Sequence, residues 1–213
     1  MSKHTVQASV KDEKLVAIRR EQMVKGAVQL FKQKGFHRTT TREIAKASGF
    51  SIGTLYEYIR TKDDVLYLVC DSIYELVKER LEEALNIGQG SLESLKLAIA
   101  NYFKVMDELQ DEVLIMYQEV RFLPKESIPY VLRKELEMVG MFESFLQQCV
   151  DNGEFSLTQD EIALVAHNIF VQGQMWGFRR WAMRKLYTLE QYTELQTQYL
   201  LHGVHMKEKG AGV

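Results

Sequence analysis

Proline is scarce in this chain, which has 213 residues and only two prolines, Pro124 and Pro129. Because proline interrupts helices, its scarcity leaves room for long unbroken ones. The alternation of apolar and polar residues that marks half-buried strands is nowhere sustained. These two absences predict an all-α protein.

Cysteine and long apolar runs are equally scarce. Cys70 and Cys149 stand alone in helical patterns, which favours buried free thiols over a disulfide or a redox switch. No apolar run approaches the roughly 20 residues that a membrane-spanning helix needs. The charged N-terminus also lacks the apolar segment of a secretory signal. We therefore expect a cytoplasmic protein that does not bind membranes.

The residue patterns of common active sites are missing as well, including a paired nucleophile and base or a carboxylate pair in a cleft. Gly88 and Gly90 follow a predicted helix instead of a strand, which excludes a dinucleotide-binding loop. His202 and His205 have the spacing of a metal-binding pair, but beside a glycine-rich tail a solvent-exposed pair is the simpler interpretation. We expect no enzymatic activity, no metal and no cofactor.

Positive charge is concentrated at one end of the chain. Residues 1–62 contain 13 Lys and Arg against 5 Asp and Glu, a balance of +8. The other 151 residues contain 14 Lys and Arg against 24 Asp and Glu, a balance of −10. The overall charge of −2 therefore hides a basic head, residues 1–62, and an acidic body, residues 63–213. Such a head is typical of a segment that binds nucleic acid.

The basic head ends in a segment, residues 40–62, that reads as two short helices joined by a tight turn. Thr40 and Glu43 form a capping box, which starts the first helix. Gly49 can adopt the left-handed conformation that ends this helix, and Ser51 caps the second. A helix-turn-helix of this kind lays its second helix in the major groove of DNA. A helical hairpin inside a larger bundle would carry the same caps.

The polar face of this helix pair distinguishes the two interpretations. It carries short hydroxyls, phenols and cations with almost no acid, and these are the groups that reach phosphate oxygens. This composition favours DNA binding over a buried hairpin. The residues are Thr41, Arg42, Ser51, Thr54, Tyr56, Tyr58 and Lys62.

From Met23 to Asp63, the chain resembles the DNA-binding domain of the TetR/AcrR family of bacterial transcriptional regulators. The combination is more specific than a lone helix-turn-helix pattern. Ile59 stands where the family more often has Phe, and Gly26 lies in mid-helix, where it costs about 1 kcal/mol relative to Ala. The matching residues are Met23-Val24, Gly26-Ala27, Leu30-Phe31, Gly35-Phe36, Thr40-Thr41, Ile44-Ala45, Gly49, Gly53-Thr54-Leu55-Tyr56, Tyr58 and Lys62-Asp63.

The resemblance implies a role for each residue that faces DNA. Ile52 has no hydrogen-bonding group and can sense only an apolar contour such as a thymine methyl, so readout is expected to depend on Arg42, Tyr56 and DNA shape. The implied residues are Thr40, Thr41 and Arg42 at the start of the supporting helix, Ser51, Ile52, Gly53 and Tyr56 for base edges, and Thr54, Tyr58 and Lys62 for phosphates.

Helical periodicity continues through the rest of the chain. We expect a three-helix DNA-binding domain over residues 1–62, frayed over 1–13, and a larger helical ligand-binding and dimerisation domain over 63–213. The acidic cluster within residues 107–112 is predicted to be a solvated loop that repels DNA. The predicted helices outside the helix-turn-helix are 14–34, 63–85, 92–109, 112–122, 130–151, 158–185 and 189–206.

Aromatic and thioether side chains at helical spacing are frequent in the predicted body. Such a stripe is more often core than pocket, but the family resemblance implies an enclosed small molecule there. Gln172, Trp176 and Arg179 share a helix face that suits an amphipathic or aromatic ligand, such as an acyl-CoA, and suits a dimer interface equally well. The candidate effector-binding residues are Tyr102, Phe103, Met106, Tyr117, Phe122, Met141, Phe142, Phe145, Gln172, Trp176 and Arg179.

The sequence thus predicts a ligand-responsive regulator that binds a pseudo-palindromic double-stranded DNA operator as a homodimer, and family habit makes it a repressor. A non-specific, nucleoid-type DNA-binding protein and a helical adaptor for other proteins remain as alternatives. The adaptor explains the amphipathic body but not the basic head, and affinities for promoter and random DNA separate the nucleoid type. The expected dimer contacts, on the last two helices, are Leu164, Phe170, Leu195, Tyr199 and Leu200.

Overall fold

In the computed structural model, which describes residues 6–86 and 90–202, all regular structure within these ranges is helical. The predicted all-α fold is therefore confirmed. A short 3₁₀ turn, Val120–Phe122, follows the sixth helix. The helices are α1 Glu13–Arg38, α2 Thr41–Ala47, α3 Ile52–Tyr58, α4 Lys62–Leu85, α5 Leu92–Glu108, α6 Gln110–Glu119, α7 Ile128–Asp151, α8 Gln159–Phe178, α9 Arg180–Leu186 and α10 Leu189–His202.

The segment before α1 is tied to the rest of the protein, so the predicted frayed end is wrong for the residues that the structure describes. Val6 is buried, and its carbonyl accepts from Arg20 Nη2 at 2.6 Å. Ser9 donates through its amide and its Oγ to the carbonyl of Glu57, at 2.8 and 3.1 Å. These contacts use backbone atoms, which a polar sequence does not reveal. Residues 1–5 lie outside the described ranges.

Backbone contacts divide the chain into two compact units. Unit 1 comprises Met1–Glu82 and Leu109–Met138, and unit 2 comprises Glu83–Glu108 and Val139–Val213. In unit 1, the Tyr130 hydroxyl of α7 donates to Asp71 of α4 at 2.6 Å. The division by contacts therefore differs from a boundary at residue 62, and the functional boundary stays a prediction.

Close approach of α1 and α2 in unit 1 explains the glycine in the middle of α1. A Cβ at Gly26 would lie 2.9 Å from Ser48 Oγ and 3.1 Å from the carbonyl carbon of Ala47. Ile44 and Leu55, which face the same core, are fully buried. The helix propensity lost at Gly26 is therefore exchanged for tight packing of the helix-turn-helix.

The core of unit 2 is built around Tyr102 of α5. Its hydroxyl donates to the carbonyl of Phe170 at 2.8 Å, and its ring stacks on the Phe170 ring with centroids 5.8 Å apart. The ring of Phe142 meets it edge-on at 5.1 Å. Gly173 of α8 lies so close that a Cβ there would come within 2.3 Å of the Tyr102 ring. Aromatic packing thus fixes α5 against α8.

The single helix predicted over residues 158–185 is wrong, because the structure breaks it at Arg179. α8 starts at a capping box formed by Thr158 and Glu161 and ends at Phe178, and the backbone at Arg179 has φ −104° and ψ 18°. Gly177 lowers helix propensity just before the break, but no proline or polar cap marks it. Residues 203–206 of the predicted last helix, including His205, lie outside the described residues.

Two properties of the described residues concern membranes and metals. No helix in residues 6–86 and 90–202 has the length and apolar character to cross a membrane. The same residues contain no group of three or more His, Cys, Asp or Glu side chains placed to hold a metal ion. Cys70 and Cys149 are free and buried. Burial raises the pKa of the Cys70 thiol to about 12, so this thiol stays protonated.

Candidate DNA-binding surface and effector region

The helix-turn-helix has the caps that the sequence predicts. Thr40 Oγ1 accepts from the Glu43 amide at 3.3 Å, and Glu43 Oε2 accepts from the Thr40 amide at 2.9 Å. Gly49 has a φ of 75°, in the left-handed region. Ser51 Oγ accepts from the Thr54 amide at 3.0 Å and so caps α3. Local hydrogen bonds therefore fix where α2 and α3 begin.

Eight of the ten predicted DNA-binding residues lie together on the surface formed by α2 and α3. The Tyr56 hydroxyl donates to Thr41 Oγ1 at 3.3 Å, which links the recognition helix α3 to the supporting helix α2. This surface offers hydroxyls, one guanidinium and the free amides at the start of α3. The exposed members are Thr40, Arg42, Ser51, Ile52, Gly53 and Tyr56, and the half-buried members are Thr41 and Thr54.

Tyr58 and Lys62 do not fit the predicted role of phosphate contacts. Tyr58 is only 3% exposed and packs its ring against Phe50, so it is a core residue of unit 1. Lys62 Nζ lies 3.1 Å from the carbonyl oxygen of Phe36 and 3.2 Å from that of Thr39. A DNA phosphate would therefore compete with these carbonyl oxygens for the Lys62 ammonium.

Arg20 supports the recognition helix, although it gives no signal in the sequence. Its Nε and Nη2 donate to the carbonyl of Tyr58, at 3.3 and 3.1 Å. Together with Ser9 on the Glu57 carbonyl, Arg20 satisfies the carbonyls at the C-terminus of α3. Burial lowers the pKa of the Arg20 guanidinium, and the negative charge of nearby Asp64 partly offsets this by raising it. A seven-residue helix gains order from these contacts, which lie far away in sequence.

The capping carboxylate of Glu43 is the most strongly shifted acid of this surface. Lys34 Nζ donates to Glu43 Oε1 at 2.6 Å, and the Thr40 amide and hydroxyl donate to Oε2. The hydrogen bond from Lys34, followed by those from Thr40, lowers the pKa of Glu43 to about 2. Because the folded pKa lies below the unfolded one, these bonds stabilise the fold above about pH 4.3 and are lost as the pH falls towards 2.

We therefore expect the Glu43→Ala variant to unfold at lower urea concentration than the wild type at pH 6. The difference between their midpoints should shrink steadily as the pH falls from about 4.5 towards 2, because the unfolded wild type binds a proton at Glu43 that the folded protein does not. Urea titrations followed by circular dichroism measure both midpoints. A difference that does not change with pH would contradict the assigned role of the carboxylate. Thr40→Ala, which removes the hydroxyl, one of the three donors to Glu43, should weaken the pH dependence.

The predicted effector residues fall into both compact units. Arg179 is exposed at the break between α8 and α9, with its guanidinium 5.2 Å from the ring of Trp181. In unit 1, Tyr117 is 64% exposed, and half-buried Phe122 contacts the ring of His37. The members buried in unit 2 are Tyr102, Phe103, Met106, Phe142, Phe145 and Trp176, and Met141 and Gln172 are half-buried there.

Trp176 is a core residue whose indole is tied to an acidic side chain. Its Nε1 donates to Asp107 Oδ1 at 2.6 Å, and Arg184 Nη2 lies 2.6 Å from the same oxygen. Glu112, of the same acidic cluster, pairs with Lys32 at 2.6 Å. The predicted solvated loop is therefore wrong, because the cluster is paired with basic side chains. Arg184 pairs with Asp107 within unit 2, and Lys32 pairs with Glu112 within unit 1. Gln172, Trp176 and Arg179 do not line one surface with the same exposure, since Gln172 is half-buried, Trp176 is buried and Arg179, the C-cap of α8, is exposed.

A groove with a volume of about 680 Å³ lies between α5 and α10 in unit 2. Ala100, Thr193 and Thr197 contribute small side chains to it, while Lys96 and Lys104 stand on α5 and Glu190 and Glu194 on α10. None of the predicted effector residues lines this groove. The location of an effector site therefore stays a prediction.

Apolar side chains are exposed on α8 and α10. Leu164 and Val171, seven residues apart on α8, are 63% and 57% exposed, and Tyr199 of α10 is 50% exposed. Leu195 and Leu200 are half-buried. Phe170 differs from its predicted place in a dimer contact, because it is buried against Tyr102 within unit 2.

Two family models match this chain. Residues 24–67 match the model described as "Bacterial regulatory proteins, tetR family", and residues 88–176 match that of a "Tetracyclin repressor-like, C-terminal domain". The chain is 26% identical over 193 residues to the HTH-type transcriptional regulator HbdR of Aromatoleum sp., covering 91% of this chain and 83% of that protein. It is 25% identical to the HTH-type transcriptional repressor KstR2 of Mycolicibacterium smegmatis, covering 78% and 80%.

Solved structures share the fold. The chain resembles the transcriptional regulator FadR of Bacillus subtilis in complex with stearoyl-CoA, with a TM-score of 0.65 and 22% identity, over 87% of this chain and 99% of that one. It also resembles AibR in complex with isovaleryl coenzyme A and operator DNA, with a TM-score of 0.68 and 19% identity, over 84% and 96%. At these identities the likeness concerns the fold.

Proposed function

Because this chain belongs to the TetR family of bacterial transcriptional regulators, which bind operator DNA, we propose that it is a homodimeric repressor released from its operator by an acyl-CoA. The observation that carries the DNA-binding part is the capped surface of α2 and α3, where hydroxyls, Arg42 and Tyr56 are exposed side by side. Hydroxyls and free amides bind phosphate oxygens, and a phenol and a guanidinium reach base edges. Groups that can discriminate between bases favour a sequence-specific regulator over a nucleoid-type protein.

The proposed dimer joins α8 and α10 of two copies. The exposed Leu164, Val171 and Tyr199 supply the apolar surface that such an interface buries. Two heads can then bind half-sites about 34–36 Å apart, or a multiple of that distance, on one pseudo-palindromic operator. Binding of two heads to one operator increases sequence specificity, because each short recognition helix contacts only a few bases.

Relatives of known structure support the effector class. FadR of Bacillus subtilis was solved with stearoyl-CoA and AibR with isovaleryl coenzyme A, and both share this fold. In this chain, the buried aromatic cluster around Tyr102, Phe142 and Trp176 offers apolar surface to an acyl chain once the side chains separate. By linkage, a ligand that binds better to a dimer with displaced heads must weaken operator binding to the same extent.

The two tryptophans of the chain, Trp176 and Trp181, provide an internal test of the effector site. Trp176 is buried in the aromatic cluster and Trp181 is 64% exposed on α9. In a Trp181→Phe variant, titration with stearoyl-CoA or isovaleryl-CoA should change the fluorescence of Trp176 over the same concentrations that release a labelled operator. In a Trp176→Phe variant, the fluorescence of Trp181 should stay constant.

Coenzyme A alone is the control ligand, because it lacks the acyl chain that the aromatic cluster would bind. If operator binding is intact and no acyl-CoA releases the DNA, the effector proposal fails while the DNA-binding function stands. A signal from Trp181 alone would place the ligand away from the cluster. Equal affinity for an operator and for random DNA would instead support the nucleoid-type alternative.

A further inference from the structure

The helical path of α1 is interrupted at Gly35, and the turn that follows, towards α2, depends on a buried carboxylate from a distant helix. Gly35 has φ 75° and ψ 165°, which turns the amide of Phe36 out of the direction of the helix axis. Glu119, at the end of α6, accepts from this amide through Oε1 at 3.2 Å. Glu119 is 8% exposed, so its carboxylate is one of the few buried charges in the described part of the chain. A buried amide of this kind needs an acceptor, and Glu119 supplies it.

Other groups hold the same turn from α4 and from the segment after α6. Lys62 Nζ, at the start of α4, donates to the carbonyls of Phe36, His37 and Thr39, at 3.1, 3.4 and 3.2 Å. The ring of Phe122 lies 3.9 Å from that of His37, centroid to centroid, in an edge-on arrangement. The peptide groups that lead directly into the Thr40 cap are therefore fixed by α4 and α6, and not by α1 alone.

We propose that Glu119 is a positioning residue for DNA binding, which acts through the Phe36 amide and the Thr40 cap to set the orientation of α2 and α3. Residues 109–138 belong to the same compact unit as the helix-turn-helix, so α6 and the head share one packed core. A displacement of α6 withdraws the carboxylate and releases the turn. The inference rests on the proposed operator binding but not on the identity of the effector.

Three variants test whether Glu119 positions the turn or only holds α1 and α6 together. Glu119→Ala removes the acceptor, and Glu119→Gln keeps an amide oxygen that can accept from Phe36. Lys32→Ala breaks the ion pair of 2.6 Å between Lys32 and Glu112, which joins the same two helices at a distance from the turn. Lys32→Ala is therefore the matched control.

The probe is an operator duplex selected from random-sequence DNA by the wild-type protein, with binding measured by fluorescence anisotropy. We expect Glu119→Ala to lose about tenfold in operator affinity, as befits a lost buried hydrogen bond to a charged group. Glu119→Gln and Lys32→Ala should stay within about threefold of the wild type, since neither orphans the Phe36 amide. Operator binding by the wild type is itself the test of the proposed function.

Coupling between two sites acts in both directions, so hydrogen exchange in α6 reports a positioning role that a purely structural contact would not show. If the turn and α6 are coupled, operator DNA must stabilise α6, so hydrogen exchange of peptides over residues 110–122 should slow when the wild type binds the duplex. In Glu119→Ala at saturating DNA, this protection should disappear, while protection of residues 40–58 remains. Measuring exchange also reports whether each variant is folded.

Equal losses of affinity in Glu119→Ala and Lys32→Ala would overturn the proposal, because the contact would then only join the helices. Unchanged affinity in Glu119→Ala would overturn it as well. If Glu119→Ala does not fold, Glu119→Asp takes its place, since its shorter side chain withdraws the acceptor from Phe36 and keeps the charge. Rescue by Gln but not by Asp is then the expected result, and the reverse order contradicts the proposal.

Discussion

Replacing Gly173 by alanine is expected to destabilise the protein by about 3 kcal/mol, at the upper end of the cost of overpacking a core. A Cβ at this position would lie 2.3 Å from Cε1 and 2.7 Å from Cζ of Tyr102. Moving the Tyr102 ring aside costs free energy, because it breaks the hydrogen bond from its hydroxyl to the Phe170 carbonyl and the ring contacts with Phe170 and Phe142. Urea denaturation followed by circular dichroism gives the free energy of unfolding.

Gly140, in α7, provides the opposite case for comparison. A Cβ there has no neighbour within 4 Å, so Gly140→Ala should stabilise the protein by about 0.5–1 kcal/mol through higher helix propensity and a less flexible unfolded chain. The two variants make the same chemical change in two helices. Similar effects in both would mean that the packing of α5 on α8 differs from the one described.

The second large effect is expected at the proposed dimer interface. Leu164→Glu places a charge on the exposed apolar face of α8, where two copies would bury it without a partner. We expect a monomer by analytical ultracentrifugation at concentrations where the wild type is a dimer. Operator affinity should fall at least about a hundredfold, because the second head no longer binds at the high effective concentration that linkage gives.

Leu97→Glu is the matched control for this experiment. Leu97 is 48% exposed on α5, in the same unit as Leu164 but on a helix outside the proposed interface. The variant should remain a dimer and bind its operator like the wild type. A dimeric Leu164→Glu, or a monomeric one with full operator affinity, would contradict the assignment of α8 or the need for two heads.

The helix-turn-helix was predictable from the sequence because its signals are local. Thr40 with Glu43, and Ser51 with Thr54, satisfy amides three residues away, so each cap can be recognised in a short segment. Gly49 marks the turn between them for the same reason, since its left-handed conformation suits glycine. The start and end of α2 and α3 follow from these few residues.

The contacts that hold the helix-turn-helix in place were not predictable from the sequence, because the two residues of each contact are far apart in the chain. Arg20 reaches the Tyr58 carbonyl across 38 residues, and Glu119 reaches the Phe36 amide across 83. Both side chains bond to backbone groups, and a backbone partner leaves no pattern in the sequence. The contacts that Tyr58 and Lys62 make within the fold were not predictable for a related reason, since family resemblance specifies a residue at a position but not the group that it contacts.

In the body, periodicity predicted the helices better than it predicted the surfaces they bury. The aromatic residues of α5 and α7 recur at helical spacing whether they line a pocket or fill a core, and the structure packs Tyr102 and Phe142 against each other. The break at Arg179 carries no strong stop signal either. The position of an effector site thus depends on packing between helices, which a one-dimensional pattern does not contain.

The hydrogen bonds that Ser9 and Arg20 make with the end of α3 bear on how DNA specificity can evolve in this protein. Neither residue belongs to the surface of α2 and α3, yet Ser9 donates to the carbonyl of Glu57 and Arg20 to that of Tyr58, so both fix the C-terminal end of α3. We therefore expect that a substitution at Ser9 or Arg20 can shift operator preference while every residue on the surface of α2 and α3 stays the same. Paralogues with identical recognition helices need not share an operator.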